Sequence, residues 1–282
     1  MSKFFFNRII RSGIITTIFL FGGINLPAQE TNDWLSLAFD YIEQNRLDSA
    51  EIALKTFMKN NPDNPLNPYL LNNLGTIQRR IGKLDEALIS YTAALGTFPA
   101  KTDFLESRAA LLAEMGKTGN AIIDYSTLLS ENPNNEEALY QRGLLYMQIK
   151  INDLAEADFQ RMLEINPNGL YARRGFASLA KIMGNYEEAE KIYHYLLDKE
   201  PDDFNLHAGR AELYLLMKKP GKALTDINRA IRLAGVDSKN PYLYITRYRI
   251  KLLLHEKESA QKDLTKAIEL GYEGEEELKT KN

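Results

Sequence analysis

Alanine recurs at Ala50, Ala87, Ala121, Ala155, Ala189, Ala223 and Ala260, with spacings of 34 or 37 residues. Four positions after each stands a bulky apolar residue: Leu54, Tyr91, Tyr125, Phe159, Tyr193, Ile227 and Leu264. A pair at i and i+4 lies on one face of an α-helix, so each alanine marks a helix that packs closely on a neighbour. Upstream in each repeat a second apolar stripe runs at helical spacing beside a small residue, as in Trp34, Leu37, Ala38 and Tyr41, or Leu139, Gly143 and Tyr146. The pattern predicts seven two-helix units, framed as 31–64, 68–101, 102–135, 136–169, 170–203, 204–237 and 241–274. A fixed period this short predicts an all-α solenoid, one elongated domain over 30–274.

Punctuation falls where a pair of helices needs it. Inside the units, Asn45, Gly82, Gly116 and Gly184 share one register and tolerate the left-handed conformation that ends a helix. Between units stand Asn61-Pro62-Asp63-Asn64, Asn132-Pro133-Asn134-Asn135, Asn166-Pro167-Asn168-Gly169 and Glu200-Pro201-Asp202-Asp203. Proline stops one helix there, and the Asn or Asp beyond it suits a turn and the cap of the next. Two insertions, Pro65 to Asn67 and Ser238 to Asn240, fall in such loops, which absorb added length cheaply.

These residues resemble the tetratricopeptide repeat. Its pattern of Trp, Leu, small residue and Tyr, then Ala, a bulky residue and a closing Pro, is matched in the first unit by Trp34, Leu37, Ala38, Tyr41, Ala50, Leu54, Phe57 and Pro62. Gly235 and Tyr272 replace the closing proline in the last two units, and Tyr248 replaces the small residue in the seventh. The resemblance implies a right-handed superhelix whose concave groove, lined by the first helices, holds a peptide or protein segment. It places the second, fifth, ninth and twelfth residues of a unit on that groove, and so nominates Tyr69, Asn72, Thr76, Arg79, Tyr140, Tyr171, Arg174 and Tyr242. Tyrosine supplies rigid area with a polar tip, arginine grips carboxylates with two prongs, and asparagine bonds extended backbone. Tyrosine at the head of a first helix has a plainer use as well, packing on the preceding turn.

One regularity argues for structure rather than binding. The third, fourth, sixth and seventh units carry Arg108, Arg142, Arg210 and Arg247 at their seventh residue, and Asp124, Asp158, Asp226 and Asp263 at their twenty-third. The other three units have Leu37, Leu74 and Phe176 at the first register and Ala53, Ser90 and Ile192 at the second. Charges that come and go together are expected to pair across the two helices of a unit.

Catalytic chemistry is hard to assemble. The chain has no cysteine, and His194, His207 and His255 fall in different units and registers, so no metal cluster, nucleophile with its base, or cofactor is expected. The formal net charge of −3 comes from acidic residues interleaved through the units, which argues against nucleic acid as a partner. Residues 1–29 have a basic start with Lys3, Arg8 and Arg11, an apolar run from Gly13 to Leu26, and the small-residue end Leu26-Pro27-Ala28. That predicts a secretory signal cleaved near Ala28 or Gln29 and a soluble periplasmic or secreted product, not a membrane-anchored one. The remaining 275–282 reads as a short charged tail. The last helix carries Leu264, Ala267, Ile268 and Leu270 with only Tyr272 and Leu278 to cover it, so this end is a candidate for self-association. The expected function is a non-catalytic interaction scaffold in the bacterial envelope. The alternative is an obligate accessory subunit of an envelope enzyme or secretion complex, bound through its convex face or carboxyl end.

Overall fold

The computed structural model describes residues 32–235 and 238–274. The expected signal at 1–29 and the tail at 275–282 lie outside the described residues. Fourteen α-helices and no strand occur among the described residues, in keeping with an all-α helical-repeat solenoid. The helices are α1 (Asn32–Glu43), α2 (Leu47–Asn60), α3 (Asn67–Arg80), α4 (Leu84–Thr97), α5 (Thr102–Glu114), α6 (Thr118–Glu131) and α7 (Glu136–Gln148), then α8 (Asn152–Ile165), α9 (Leu170–Ile182), α10 (Tyr186–Lys199), α11 (Phe204–Leu216), α12 (Pro220–Ala234), α13 (Pro241–Leu253) and α14 (Lys257–Glu269).

The chain forms two compact units, one up to Ile151 and one from Asn152, so the division falls between the two helices of the fourth frame. In the first unit each helix from α1 to α7 packs on its chain neighbour, and α3 also touches α5. In the second, α8 to α14 do the same, and α11 touches α13. α3 and α5, and α11 and α13, are first helices of successive repeats that approach one another, which puts first helices on the inner layer of each unit.

The alanine register is the core. Ala50, Ala87, Ala121, Ala155, Ala189, Ala223 and Ala260 are all fully buried, as are the small residues of the first helices Ala38, Gly75, Ala109, Ala177 and Ala211. Leu54, Phe57, Leu70 and Ile77 fill one cluster of the first unit, and Tyr193, Leu196, Leu206 and Leu213 one of the second. In the seventh repeat the bulky Tyr248 takes the small-residue position and packs with Leu264, Ala260 and Ile245, with Tyr272 partly covering the cluster. The closing turns are tied as their residues suggest. Asn135, Asp203 and Asn240 cap α7, α11 and α13, and Asn67 of the first insertion donates to the carbonyls of Asn61 and Pro62.

Every first helix ends in the same way. The fifteenth residue has positive φ in all seven repeats: Asn45, Gly82, Gly116, Lys150, Gly184, Lys218 and His255. The next N–H then reaches back five residues, as Lys83 does to Gln78 and Lys219 to Tyr214, both at 2.8 Å. This six-to-one bond answers an otherwise orphaned carbonyl and forces the left-handed residue on the turn whatever its side chain. Lys150, Lys218 and His255 carry a Cβ there and are strained by about 1 kcal/mol. Lys218→Gly is accordingly expected to stabilise the protein by about 1 kcal/mol, raising the urea midpoint without changing the slope, whereas Lys218→Ala keeps the Cβ and should gain far less.

Candidate functional site

Arg108, Arg210 and Arg247, at the seventh register, are forks. Arg108 donates through Nε and Nη2 to the two oxygens of Asp124, both at 2.8 Å, and points Nη1 at Thr92 of the preceding repeat, 3.5 Å away. Arg247 holds Asp263 at 2.9 and 2.6 Å and reaches back to Asn228 at 3.1 Å. Arg210 holds Asp226 at 2.7 and 2.9 Å, where His207 Nδ1 adds a contact at 3.2 Å. Arg142 donates to Ser126 at 3.0 Å within the first unit, and Asp158 is buried within the second. Arg108, Arg142 and Arg247 thus send Nη1 to a polar residue of the repeat before, a contact that pairing within a unit did not anticipate.

Repeats without the fork use other means. Ser90 donates to Gln78, Gln78 donates to Glu51, and Lys55 and Lys83 close on the same carboxylate at 2.6 and 2.7 Å. Burial alone would raise the Glu51 pKa, but the hydrogen bonds from Lys55, Lys83 and Gln78 prevail and bring it down to about 2. In the fifth repeat Phe176 sets its ring edge-on to Phe159 at 5.8 Å, beside a cleft of about 380 Å³ that Leu179, Ile192 and Arg173 help to line.

The inner-face candidates divide into packed and exposed. Tyr69 packs tilted on Phe98 at 5.7 Å and edge-on to Phe104 at 5.5 Å, so it leans on the turn that closes its own repeat and not on the turn before its helix. Asn72 was expected on an open wall and is instead buried, because α3 is enclosed along the whole stretch from Asn72 to Gly75; its Oδ1 has no partner among the described residues. Thr76 bonds the carbonyl of Asn72 and the hydroxyl of Tyr91, the latter at 3.0 Å. Tyr140 is half-buried. Two expected grips for a ligand carboxylate hold the chain's own carboxylates: Arg79 meets Glu114 at 2.5 Å, and Arg174 clamps Glu200 and Asp203 at 2.6 and 2.5 Å. Tyr171 and Tyr242, the second residues of α9 and α13, stand 62% and 65% exposed. Arg174 lies over the Tyr171 ring, and Tyr272 meets Tyr242 edge-on at 5.9 Å.

A further surface escaped the sequence reading. Ile52, Ile89 and Ile123 occupy the same register of the second helices α2, α4 and α6, and are 62%, 69% and 63% exposed. Three large β-branched side chains in one file make an apolar stripe on the outer layer of the first unit. The signal was present as isoleucine two residues after the first three marker alanines, in helices whose inward positions were already assigned. Among the described residues no cluster of His, Asp or Glu could hold a metal ion, and no helix is long and apolar enough to cross a membrane.

The tetratricopeptide repeat model matches residues 35–102, 107–169 and 175–238. Among solved structures, a tetratricopeptide repeat protein from Parabacteroides merdae ATCC 43184 is 46% identical, with a TM-score of 0.82 over 87% of this chain and 95% of its own. PilW, a widely conserved type IV pilus biogenesis factor, gives a TM-score of 0.62 at 17% identity, over 77% of this chain and 98% of its own. The APC/C hetero-tetramer Cut9-Hcn1 gives 0.62 at 14% identity, over 86% and 53%. Likeness at such low identity concerns the fold alone. No curated protein matches the chain.

Two outcomes test the polar framework. Asp124→Asn leaves the partly buried Arg108 fork without its counter-charge, and is expected to cost about 2 to 3 kcal/mol in urea unfolding, the partial exposure of the arginine keeping it below a fully buried pair. The depressed Glu51 pKa lies below the ordinary carboxyl value of 4.5, so the unfolded chain takes up this proton first. Its stabilisation, ~2 kcal/mol after allowing for the exposed lysines, is complete above pH 4.5 and lost as pH falls toward 2. Glu51→Gln should flatten that part of the stability profile, and an unchanged slope would refute the assignment.

Proposed function

The chain belongs to the tetratricopeptide repeat family, and we propose that it is an exported, non-catalytic interaction scaffold that holds a peptide or protein segment against its first helices. The observation that carries this reading is the exposure of Tyr171 and Tyr242 at one register of the inner-layer helices, in a chain that buries Tyr91, Tyr125, Tyr193, Tyr214 and Tyr248. Rigid aromatic faces left to solvent at matching positions supply contact area at low entropic cost. Arg174, held by Glu200 and Asp203 over the Tyr171 ring, acts as a positioning residue beside that tyrosine rather than as a grip on a ligand carboxylate, and Arg79 is taken up by Glu114. Export follows from the basic, apolar and small-residue succession of 1–29. Acidic composition and scattered histidines support a protein partner over nucleic acid or a reaction.

A second reading has its own observation. The exposed file of Ile52, Ile89 and Ile123 suits an obligate partner seated on the outer layer of the first unit, as an accessory subunit requires. Ile268, half exposed on α14, keeps the carboxyl end a smaller candidate for self-pairing.

Crosslinked capture from an envelope fraction with residues 30–282 as bait separates the two. Tyr171→Ala with Tyr242→Ala is expected to fold normally and to weaken retention of the partner by at least about tenfold. Loss of the partner from Ile52→Ser, Ile89→Ser, Ile123→Ser while the tyrosine variant retains it would transfer the site to the outer layer. The amino terminus of the mature protein, read by mass, is expected at Gln29 or Glu30.

A further inference from the structure

Two surface clefts share one register. One, of about 490 Å³, is lined by α4, α5 and α6, and the other, of about 380 Å³, by α8, α9 and α10. Leu88, Arg108, Asn120 and Asp124 line the first; the residues two repeats on, Glu156, Phe176, Glu188 and Ile192, line the second. Where the third repeat lays the fork of Arg108 on Asp124, the fifth has an aromatic ring and an isoleucine. Charge stands at the rim of the second cleft instead, because Glu156 and Glu188 are both exposed.

Apolar residues at the fork registers would be ordinary core if the space between them were filled. Phe176 meets Phe159, yet a cleft lined by Leu163, Phe176, Met183 and Ile192 stays open beside it. Met183 is 51% exposed, whereas Met115 and Met217, at the same register of the third and sixth repeats, are half-buried. At about 100° per residue, Phe176, Ala180 and Met183 lie on the side of the fifth repeat's first helix opposite Tyr171 and Arg174, so the cleft opens away from the inner layer. Arg173, the cation among the lining residues, is engaged by the carbonyls of Gly169 and Pro167 at 3.1 and 2.8 Å and lies over the Tyr195 ring. Glu156 forms no ion pair among the described residues, and Glu188 meets Lys191 at 3.5 Å where both are exposed. The unanswered charge at the rim is therefore negative.

We infer that the cleft of the fifth repeat is a docking site for a protein partner that inserts an apolar side chain of leucine or phenylalanine size and carries a basic residue beside it. The apolar group lies against Phe176, Met183 and Ile192, and the basic one meets Glu156 or Glu188. A volume of about 380 Å³ stands at the small end of ligand pockets and suits one anchoring side chain rather than a whole peptide. Apolar contact supplies the anchor, while the exposed carboxylates select its flank and steer the encounter. This is a second site beyond the inner-face reading, on the opposite side of α9, and it does not depend on the exposed tyrosines.

The test follows the methionine methyl signals of the 30–282 chain by NMR during titration with short acetylated and amidated peptides. One has a phenylalanine between lysines, one a serine between lysines, and one a phenylalanine between glutamates. The first is expected to shift Met183 and leave Met217 in place, and the other two to bind about tenfold more weakly. Phe176→Arg with Ile192→Asp rebuilds here the fork that Arg108 and Asp124 make, so this variant should keep its helical spectrum and lose the shift. Glu156→Gln with Glu188→Gln, both exposed, keeps the fold and should remove the preference for lysine over glutamate flanks. Tyr171→Ala with Tyr242→Ala should leave the Met183 shift unchanged, so this site and the inner-face site fail separately. Equal response to the three peptides, no response, or a response that survives the rebuilt fork would overturn the proposal. So would a Met183 shift as strong with benzyl alcohol, which would assign the cleft to a small molecule, or a signal that moves on dilution without peptide, which would assign it to a second copy.

Discussion

The rest of the molecule depends on bulky side chains of the second helices meeting first-helix backbone that has little or no side chain in the way, and three rings do so at glycine. A Cβ on Gly75 would lie 2.8 Å from the Tyr91 ring, one on Gly175 2.6 Å from the Phe159 ring, and one on Gly209 2.6 Å from the Tyr193 hydroxyl. Carbon atoms pack at about 3.5 to 4.0 Å, so those first helices must be bare at the point of contact. Beside Gly75 the Tyr91 hydroxyl reaches Thr76 on the same first helix, and the Tyr193 hydroxyl, against Gly209 of the next repeat, meets Ser178 of its own. The residues that hold the repeats together therefore supply polar atoms to the layer where a ligand is proposed to lie, and packing and recognition are coupled through the same rings.

This contact is why the fold was legible in the sequence. A close helix crossing demands a small residue and a large one at set positions, and a stack of identical crossings repeats that demand at a fixed interval. The left-handed turn was only half legible. Asn45, Gly82, Gly116 and Gly184 announce it, but Lys150, Lys218 and His255 adopt the same conformation because a backbone hydrogen bond imposes it. Where the bond dictates the torsion, residue type ceases to be a guide.

The surface was legible in register and not in occupation. Periodicity singled out Arg79 and Arg174 among first-helix positions, but their carboxylate partners lie 35, 26 and 29 residues away, at different registers for the two arginines. Asn72 illustrates the opposite failure, since the enclosure of α3 along that stretch is a property of its neighbours rather than of the helix that carries it. Exposed Ile52, Ile89 and Ile123 were passed over because an isoleucine in an amphipathic helix is ordinarily inward. Tertiary context decides each of these, and a single sequence holds it only implicitly.

The fork of Arg108, Arg210 and Arg247 bears on how such an array could have grown. Both charges of each resolved pair sit in one repeat, and what crosses to the repeat before is at most a bond to a neutral side chain, Thr92 or Asn228. A duplicated, deleted or transposed repeat would carry its own counter-charge with it. The only thing left behind would be a hydrogen bond that many polar residues, or water, can replace. Lengthening the chain by copying segments of its gene would then part neither charge of such a fork from the other at the new junctions.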